Sequence, residues 1–542
     1  MSRPSLWIFT TVPIALLLSL PLLTVVAFLL EPSAEVWSHL ADTVLKSYIA
    51  NSLWLMLGVA VGTLLMGVSS AWLTTMCNFP GRRFFAWALL LPMALPAYII
   101  AYTYTGLLEV GGPVQSTLRS WFGWDYGDYW FPEIRSLGGA IVMLSLVLYP
   151  YVYLLTRATF LEQSTAVLEV SRSLGHGPWS TFFRLAVPMA RPAIIAGLSL
   201  ALMETLADYG TVHYFGVSTF TTGILRTWFG MGDVAAAAQL SALLLSFVFI
   251  LIVLERWSRR KARYHHTDNK TGGGFARYPL RRWEAVGAFL VCLLPLLFGF
   301  FIPLAQLGWW GWAQADAFLE PDFLRLLRHS MQLAAIAALL ALLIALLLAY
   351  GKRLHPTPLM QATVRTAGMG YAIPGTVIAV GVMIPFAALD NTLDSWARET
   401  FGYSTGLLLS GTLVALLFGY VARFLAVSLN SVESGLLKIK PTYDQAARSL
   451  GASQGFTLLR VHLPLLRGSL FTALLLVFVD VLKELPATLV LRPFNYNTLA
   501  VRAYELASDE QLQAAAVPAV AIVIAGLIPI LILSYSITSK RT

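Results

Sequence analysis

The sequence predicts an all-α membrane protein with about twelve transmembrane helices, arranged as two parallel six-helix repeats. The first observation is composition, because hydrophobic residues make up 57 % of the 542 positions and charged residues only 12 %. In soluble domains about a quarter of the residues are charged. The second is a series of apolar runs near the ~20 residues that a helix needs to cross the hydrocarbon core. The third is a polar motif that occurs twice in register, which indicates an internal duplication.

The apolar runs supply the predicted spans. They cover residues 6–30, 48–76, 84–108, 136–156, 192–212, 234–254, 285–312, 330–350, 366–388, 405–422, 468–490 and 514–537. The first run is longer than the apolar core of a signal peptide and has no clear A-x-A cleavage site, so we interpret it as a helix. The two cysteines, Cys77 and Cys292, provide neither a disulfide framework nor metal-ligand spacing.

Charge predicts the orientation of the spans. Lys and Arg outnumber Asp and Glu in the termini and even-numbered connections taken together, and the reverse holds in the odd-numbered connections. The positive-inside rule therefore places both termini in the cytoplasm. The net charge of +9 follows mainly from this asymmetry and requires no nucleic-acid partner.

A basic stretch from Arg256 to Arg282 separates the two halves and contains Thr271-Gly-Gly-Gly274. We interpret residues 256–283 as a flexible cytoplasmic linker, and binding to anionic lipid is the alternative. The chain then consists of a first repeat, residues 1–255, and a second repeat, residues 284–542. An even number of spans in each repeat gives both repeats the same orientation.

The repeated motif lies between the fourth and fifth spans of each repeat. Glu169-Val-Ser-Arg-Ser-Leu-Gly175, followed by Val187-Pro188, recurs 276 positions later as Gln445-Ala-Ala-Arg-Ser-Leu-Gly451, followed by Leu463-Pro464. A second alignment, Pro96 with Pro374, extends the repeat at an offset of 278.

Each copy of the motif predicts a helix–turn–helix elbow on the cytoplasmic side. Residues 168–174 and 443–450 can each form a short helix that ends at glycine, which accepts the left-handed conformation of a helix end. A second short segment follows, and Pro188 or Pro464 is expected to reset the chain before the next span. We expect the elbows to dock a cytoplasmic partner, with a solvated loop as the alternative.

At these residues the chain resembles the inner-membrane permease subunits of bacterial ABC importers, as two fused permease domains with the type I importer fold. The family motif is Glu-Ala-Ala, then a spaced Gly, then hydrophobic-x-Leu-Pro. Val170 and Ser171 replace the two alanines in the first copy, and Gln445 replaces the glutamate in the second. The resemblance implies that each elbow is a coupling helix seated on an ATPase subunit. The implied coupling residues are Glu169, Arg172, Ser173, Leu174, Gly175 and Pro188, and Gln445, Ala446, Ala447, Arg448, Leu450, Gly451 and Pro464.

The resemblance also implies partners and location. Two cytoplasmic ATP-binding subunits are expected to hold ATP-Mg, because this chain has no G-x-x-x-x-G-K-[ST] phosphate loop. The chain is thus expected to bind no cofactor itself and to be a transport subunit, not an enzyme. A periplasmic iron-binding protein is expected to deliver the cargo to this multi-pass protein of the bacterial inner membrane.

Few ionisable residues fall within the predicted spans. Glu204 and Asp208, which precedes Tyr209, recur 276 positions later as Asp480 and Glu484, with Lys483 beside the latter. Because i,i+4 positions share a helix face, we expect an acidic pair in each half that lines a pathway for a cation. The alternative is that the carboxylates bond to neighbouring helices, with Lys483 neutralising one of them.

Four further strings look like the ferric-iron branch of these permeases: Asp208-Tyr-Gly-Thr-Val212, Phe220-Thr-Thr-Gly-Ile224, Arg226-Thr-Trp228 and Lys483-Glu-Leu-Pro-Ala-Thr488. The expected function is therefore uptake of ferric iron, with the chelation state of the iron and any metal-binding residues unknown. Permeases for thiamine or phosphonate share the fused layout and are alternatives. An ion-coupled secondary transporter is a further alternative, but it has no reason to duplicate a cytoplasmic elbow.

Overall fold

The computed structural model describes residues 6–31, 34–162, 173, 175, 177–260 and 277–539, which form mainly helices. Within this part of the chain, 11 helices are long and apolar enough to cross a membrane. A bent helix pair over residues 82–94 and 97–122 raises the number to 12. The prediction of an all-α protein with about twelve spans is confirmed.

The described part of the first half forms twelve α-helices and one short strand. The helices are α1 (Leu6–Ala27), α2 (Ala34–Thr43), α3 (Leu45–Met76), α4 (Arg82–Ala88), α5 (Ala97–Leu108), α6 (Pro113–Phe122), α7 (Leu137–Glu162), α8 (Pro178–Thr181), α9 (Val187–Ala207), α10 (Gly210–Tyr214), α11 (Phe220–Leu225) and α12 (Val234–Arg260). The strand β1 (Cys77–Asn78) pairs in parallel with β2 (Tyr278–Pro279), which lies at the end of the predicted linker.

The second half contributes the remaining helices of the described residues. They are α13 (Trp283–Leu296), α14 (Ile302–Ala313), α15 (Pro321–Leu354), α16 (Pro358–Ala367), α17 (Gly375–Phe401), α18 (Leu413–Leu437), α19 (Pro441–Ser449), α20 (Gln454–Thr457), α21 (Leu463–Leu482), α22 (Pro486–Leu491), α23 (Leu499–Ser508) and α24 (Leu512–Ser539).

The predicted third and ninth spans are both interrupted at their aligned prolines. The chain bends by 91° between residues 82–94 and 97–122. Pro96 and Pro374 share an extended ψ of 143°, and each directly precedes a new helix, α5 or α17. A proline fits the start of a helix but not its interior, because it lacks the backbone N–H and clashes with the preceding turn. These prolines therefore mark helix starts, and the expectation of unbroken helices there is wrong.

The predicted fifth and eleventh spans begin earlier than expected. The helical path continues from α8 through a π-helical turn, Phe182–Ala186, into α9, and from α20 through Leu458–His462 into α21. In each turn an amide bonds to the carbonyl five residues back, from Val187 to Phe182 and from Leu463 to Leu458. The wider turn accommodates the proline that follows, which has no N–H to donate. Pro188 and Pro464 thus do not reset the chain.

The helices form two compact units, and each unit combines segments from both halves of the sequence. The α1 unit comprises Met1–Ser38, Ile224–Leu245 and Asp316–Arg502, and the α3 unit comprises His39–Gly223, Ser246–Ala315 and Ala503–Thr542. The predicted repeats, residues 1–255 and 284–542, describe the duplication of the sequence and stay a prediction.

Close helix packing holds each unit together. In the α1 unit, α1 packs on α17, and a Cβ atom at Gly381 would overlap the carbonyl oxygen of Pro21. In the α3 unit, α3 packs on α7, and a Cβ atom at Gly67 would lie 3.0 Å from the carbonyl oxygen of Tyr149. Small residues permit such approach of helix backbones in a membrane, where packing replaces the hydrophobic driving force.

Candidate functional site

The second elbow, which we define as residues 438–462, contains the predicted short helix and its glycine stop. α19 ends at Ser449, and Gly451 has a left-handed φ of 76°. The amide of Ala452 donates to the carbonyl of Ala447, and the amide of Gly451 donates to that of Arg448, both at 3.0 Å. This is the Schellman arrangement of a helix C-terminus, which requires the left-handed residue.

The first elbow, which we define as residues 163–186, has the same left-handed backbone conformation at the equivalent glycine. Gly175 has a φ of 78°, and a Cβ atom at Gly175 or Gly451 would meet no heavy atom within 4 Å. The need for glycine is therefore conformational. Of the predicted coupling residues in this elbow, Glu169, Arg172 and Leu174 lie outside the described residues.

The second elbow presents its motif residues to the outside of its unit. Gln445, Ala446 and Arg448 are exposed, whereas Ala447 is buried at 9 % exposure. Leu450, just before the turn, is 86 % exposed. In the first elbow, Trp179 of α8 is 74 % exposed. Pro188 and Pro464 are also exposed. Apolar side chains displayed at a bend beside a cationic one are typical of a surface that a partner covers.

Arg353, at the end of α15, attaches the second elbow to the α1 unit. Its guanidinium donates to the carbonyl oxygens of Leu436 (2.6 Å) and Ile439 (3.0 Å) and to the carboxylate of Asp444 in α19 (2.6 Å). The imidazole Nε2 of His462 lies 3.2 Å from the other oxygen of Asp444. Arg353 and Asp444 are each only 16 % exposed, so this charge-assisted contact is shielded from water.

The predicted acidic pair of the first half does not share one helix face. α9 ends at Ala207, and Asp208 has an extended backbone. Its carboxylate accepts hydrogen bonds from the Thr211 hydroxyl (3.0 Å) and the Val212 amide (3.1 Å). Asp208 therefore caps the short helix α10, whose first amides have no partner within the helix. The Thr221 hydroxyl donates to the Asp208 carbonyl at 2.7 Å.

The second half repeats this break. α21 ends at Leu482, and the Glu484 carboxylate accepts from the amide of Ala487 in α22 at 3.0 Å. The Thr488 hydroxyl donates to the Glu484 carbonyl at 2.8 Å, as Thr221 does at Asp208. The i,i+4 spacing suggested a continuous helix, but in both halves the second carboxylate begins the next short helix.

Charge balance distinguishes the two halves. Glu484 forms a buried ion pair with Arg423 (3.0 Å; side chains 6 % and 7 % exposed), and Lys483 pairs with Asp480 at 2.9 Å. Neither Glu204 nor Asp208 forms an ion pair with another described residue. Among the described residues, cations thus neutralise the second-half carboxylates but not the first-half ones.

Arg423 is a residue that the sequence reasoning missed. The predicted tenth span stopped at residue 422, whereas α18 continues to Leu437 and buries Arg423 in its middle. The signal in the sequence was an arginine that directly follows an apolar run. We assigned this arginine to the connection after the span.

Tyr209 belongs to an aromatic cluster within the α3 unit. It is 8 % exposed, and its ring stacks on His213 with centroids 5.0 Å apart. Its ring centroid lies 6.0 Å from that of Tyr504, whose hydroxyl contacts the Nδ1 atom of His213. Tyr209 thus packs directly beside Asp208.

The α3 unit also has a cavity at the opposite end of α7 from the first elbow. The 26 residues of α7 separate the two by about 39 Å, at ~1.5 Å per residue. The cavity has a volume of about 670 Å³ and is lined by residues 108–111, 115, 126, 127 and 129–135. It therefore lies between the connection after α5 and the one before α7.

Arg135 forms one wall of this cavity. It contacts Glu109 at 2.6 Å and Glu510 at 2.7 Å. Burial alone would lower the pKa of Arg135, but the hydrogen bond with Glu510 and the neighbouring Tyr214 and Glu109 raise the pKa above its usual value. Arg135 is therefore a fixed cation here. In the described ranges no group of three or more His, Cys, Asp or Glu side chains is arranged to hold a metal ion.

Several known transport proteins are similar to this chain in sequence. The family described as binding-protein-dependent transport system inner membrane component matches residues 63–264. The Fe(3+)-transport system permease protein FbpB 2 of Haemophilus influenzae is 26 % identical over 98 % of both chains. The ferric transport system permease protein FbpB of Actinobacillus pleuropneumoniae is 22 % identical over 82 % of this chain and 64 % of its own. The molybdenum transport system permease protein ModB of Escherichia coli is 25 % identical over 36 % of this chain and 86 % of its own. Residues 63–264 thus match the binding-protein-dependent transport system inner membrane components, and nearly the whole chain is similar to a transport-system permease.

Proposed function

We propose that this chain is the permease of an ATP-driven importer that moves ferric iron from a periplasmic binding protein into the cytoplasm. The observation that carries the substrate is the similarity along 98 % of both chains to a permease named for Fe(3+) transport. The molybdenum permease is similar over only 36 % of this chain, so the fused two-half layout favours iron over molybdenum.

The two elbows support docking of ATP-binding subunits, one on each elbow. Both have a left-handed glycine at the same place in the motif, and the second displays Leu450 and Arg448 away from its own unit. Hydrolysis of ATP-Mg on the partner subunits would move the elbows. Because α8 and α20 continue through a π turn into α9 and α21, that movement would pass directly into a membrane span.

Orientation follows from the charge distribution of the sequence, with both termini and both elbows in the cytoplasm. The cavity beside Arg135 would then face the periplasm, because α7 separates it from the first elbow. Glu109, Glu133 and exposed Trp130, at 86 % exposure, border this cavity and suit a polar and aromatic contact with the binding protein.

The residues that we propose to line the pathway are fewer than those that the sequence suggested. Asp480 pairs with Lys483, and Glu484 pairs with Arg423, so each second-half carboxylate already has a cationic partner. Glu204 and Asp208 form no ion pair with any described residue. We therefore assign contact with iron, a hard cation that prefers oxygen ligands, to the first-half pair, next to Tyr209.

The test is reconstitution of transport. The chain, purified with its ATP-binding subunits, is placed in proteoliposomes with the partner binding protein loaded with radioactive ferric iron. The expected result is iron accumulation that requires ATP and the binding protein. Competition with excess molybdate, sulfate, thiamine and phosphonate tests the other solutes.

Three outcomes would contradict the proposal. A binding protein that retains thiamine and has no affinity for ferric ion would overturn the assignment of iron as the substrate. Iron uptake driven by an ion gradient without ATP would favour a secondary transporter. Failure of any ATP-binding subunit to assemble with the chain would overturn the docking role of the elbows.

A further inference from the structure

The second arm of the first elbow is contacted by the segment that leads into the second half of the chain. Tyr278 of β2 donates from its hydroxyl to the hydroxyl of Thr181 in α8, at 3.4 Å. Its ring also packs on Trp72 of α3, with centroids 6.2 Å apart. Arg277 donates to the carbonyl of Thr75 at 3.1 Å, and β2 pairs with β1. The predicted linker is therefore attached at this end beside the elbow.

The second arm of the second elbow is contacted by the segment that leads into the first half. The indole N–H of Trp7, in the first turn of α1, donates to the side-chain oxygen of Gln454 in α20, at 3.0 Å. Its ring packs edge-to-face on Tyr350 of α15, with centroids 5.6 Å apart. The Tyr350 hydroxyl in turn donates to the Gln454 carbonyl at 2.9 Å.

The two arrangements correspond through the repeat. Trp72 and Tyr350 are 278 positions apart, the offset that also aligns Pro96 with Pro374. α8 and α20 start 276 positions apart, the offset of the elbow motif. In both units an aromatic side chain from the lead-in segment of one half covers an aromatic residue and bonds to the elbow arm of the other half.

We propose that Trp7 and Tyr278 are positioning residues that connect each elbow to the first helix of the opposite half of the sequence. Movement of the second elbow would then pass to α1, whose first turn contains Trp7, as well as to α21. Movement of the first elbow would pass to α13, which starts four residues after Pro279, as well as to α9. This inference rests on the proposed function, because it assigns these residues to the transmission of ATP-driven movement.

The experiment measures iron accumulated per ATP hydrolysed in the reconstituted complex, for Trp7→Ala and Tyr278→Ala. Each change removes a ring contact and a hydrogen bond, which together correspond to about a tenfold effect on an equilibrium. We expect the uptake per ATP to fall by about tenfold while the affinity for the ATP-binding subunits is unchanged. Trp283→Ala is the matched control, because Trp283 also lies in the first turn of a span but is 84 % exposed.

Two conservative variants keep the test decisive where an alanine variant does not assemble. Trp7→Phe keeps the ring contact and removes the bond to Gln454, and Tyr278→Phe removes only the bond to Thr181, so each should give a smaller loss. The positioning role would be overturned if both alanine variants kept the native uptake per ATP. Where the alanine variants do not assemble, native uptake per ATP in both conservative variants would overturn it. Failure of the proposed function is distinguishable, because it would appear as absent ATP-dependent uptake in the unchanged protein.

Discussion

Replacing Gly451 with valine tests whether the turn of the second elbow determines ATPase docking. At a φ of 76°, a residue with a Cβ atom costs about 1–2 kcal/mol more than glycine. No neighbouring atom lies within 4 Å of the added Cβ, so no steric clash adds to this cost. If the partner binds only the elbow with this turn, its affinity should fall by about 5- to 30-fold. Titration of the ATP-binding subunit onto the permease in nanodiscs measures this change.

Two variants of the same elbow serve as controls. Gly455→Ala adds a Cβ in α20 with no atom within 4 Å and without a left-handed φ, so its affinity should equal that of the native protein. Gly451→Asn should keep most of the affinity, because asparagine tolerates the left-handed region. Binding by the valine variant within twofold of native would refute the reasoning.

The remaining predictions concern the spans and the cavity. Glu484→Gln leaves Arg423 buried without its anionic partner, which costs about 3–5 kcal/mol; the melting temperature in detergent should fall, and adding Arg423→Met should restore most of it. Asp208→Asn should reduce iron uptake without changing the melting temperature or ATPase binding, and unchanged uptake would show that Asp208 is only a helix cap. Trp130→Ala and Glu133→Gln should weaken capture of the binding protein, measured by surface binding, while ATP hydrolysis in its absence stays native.

Composition and residue spacing were sufficient to predict the features that depend on a short stretch of sequence. Span number follows from apolar length, and the end of α19 at Gly451 follows from the preference of glycine for a left-handed turn. The same features could not predict how helices continue. Pro188 and Pro464 suggested breaks, but a π turn of five residues before each keeps the helix running.

The candidate pathway residues show a second limit of prediction from the sequence. The i,i+4 spacing of Glu204 with Asp208 correctly marks equivalent positions in the two halves, but it assumes that the helix extends to the second carboxylate. Whether it does depends on amides such as that of Val212, which need a cap from outside their own helix. The pairing of Arg423 with Glu484 joins residues 61 positions apart, and no local pattern contains that information.

The packing of α1 has a consequence for the order of synthesis. Its partner α17 begins at Gly375, so at about 5–20 residues per second the ribosome reaches that helix roughly 20–70 seconds after α1 has emerged. Only 22 % of the apolar window of α1 is buried in the completed protein, and its mean hydropathy is 2.5. A helix so apolar on every side is stable in lipid while it is alone. The first helix made can therefore reside in the bilayer and join its unit late, after most of the chain has been inserted.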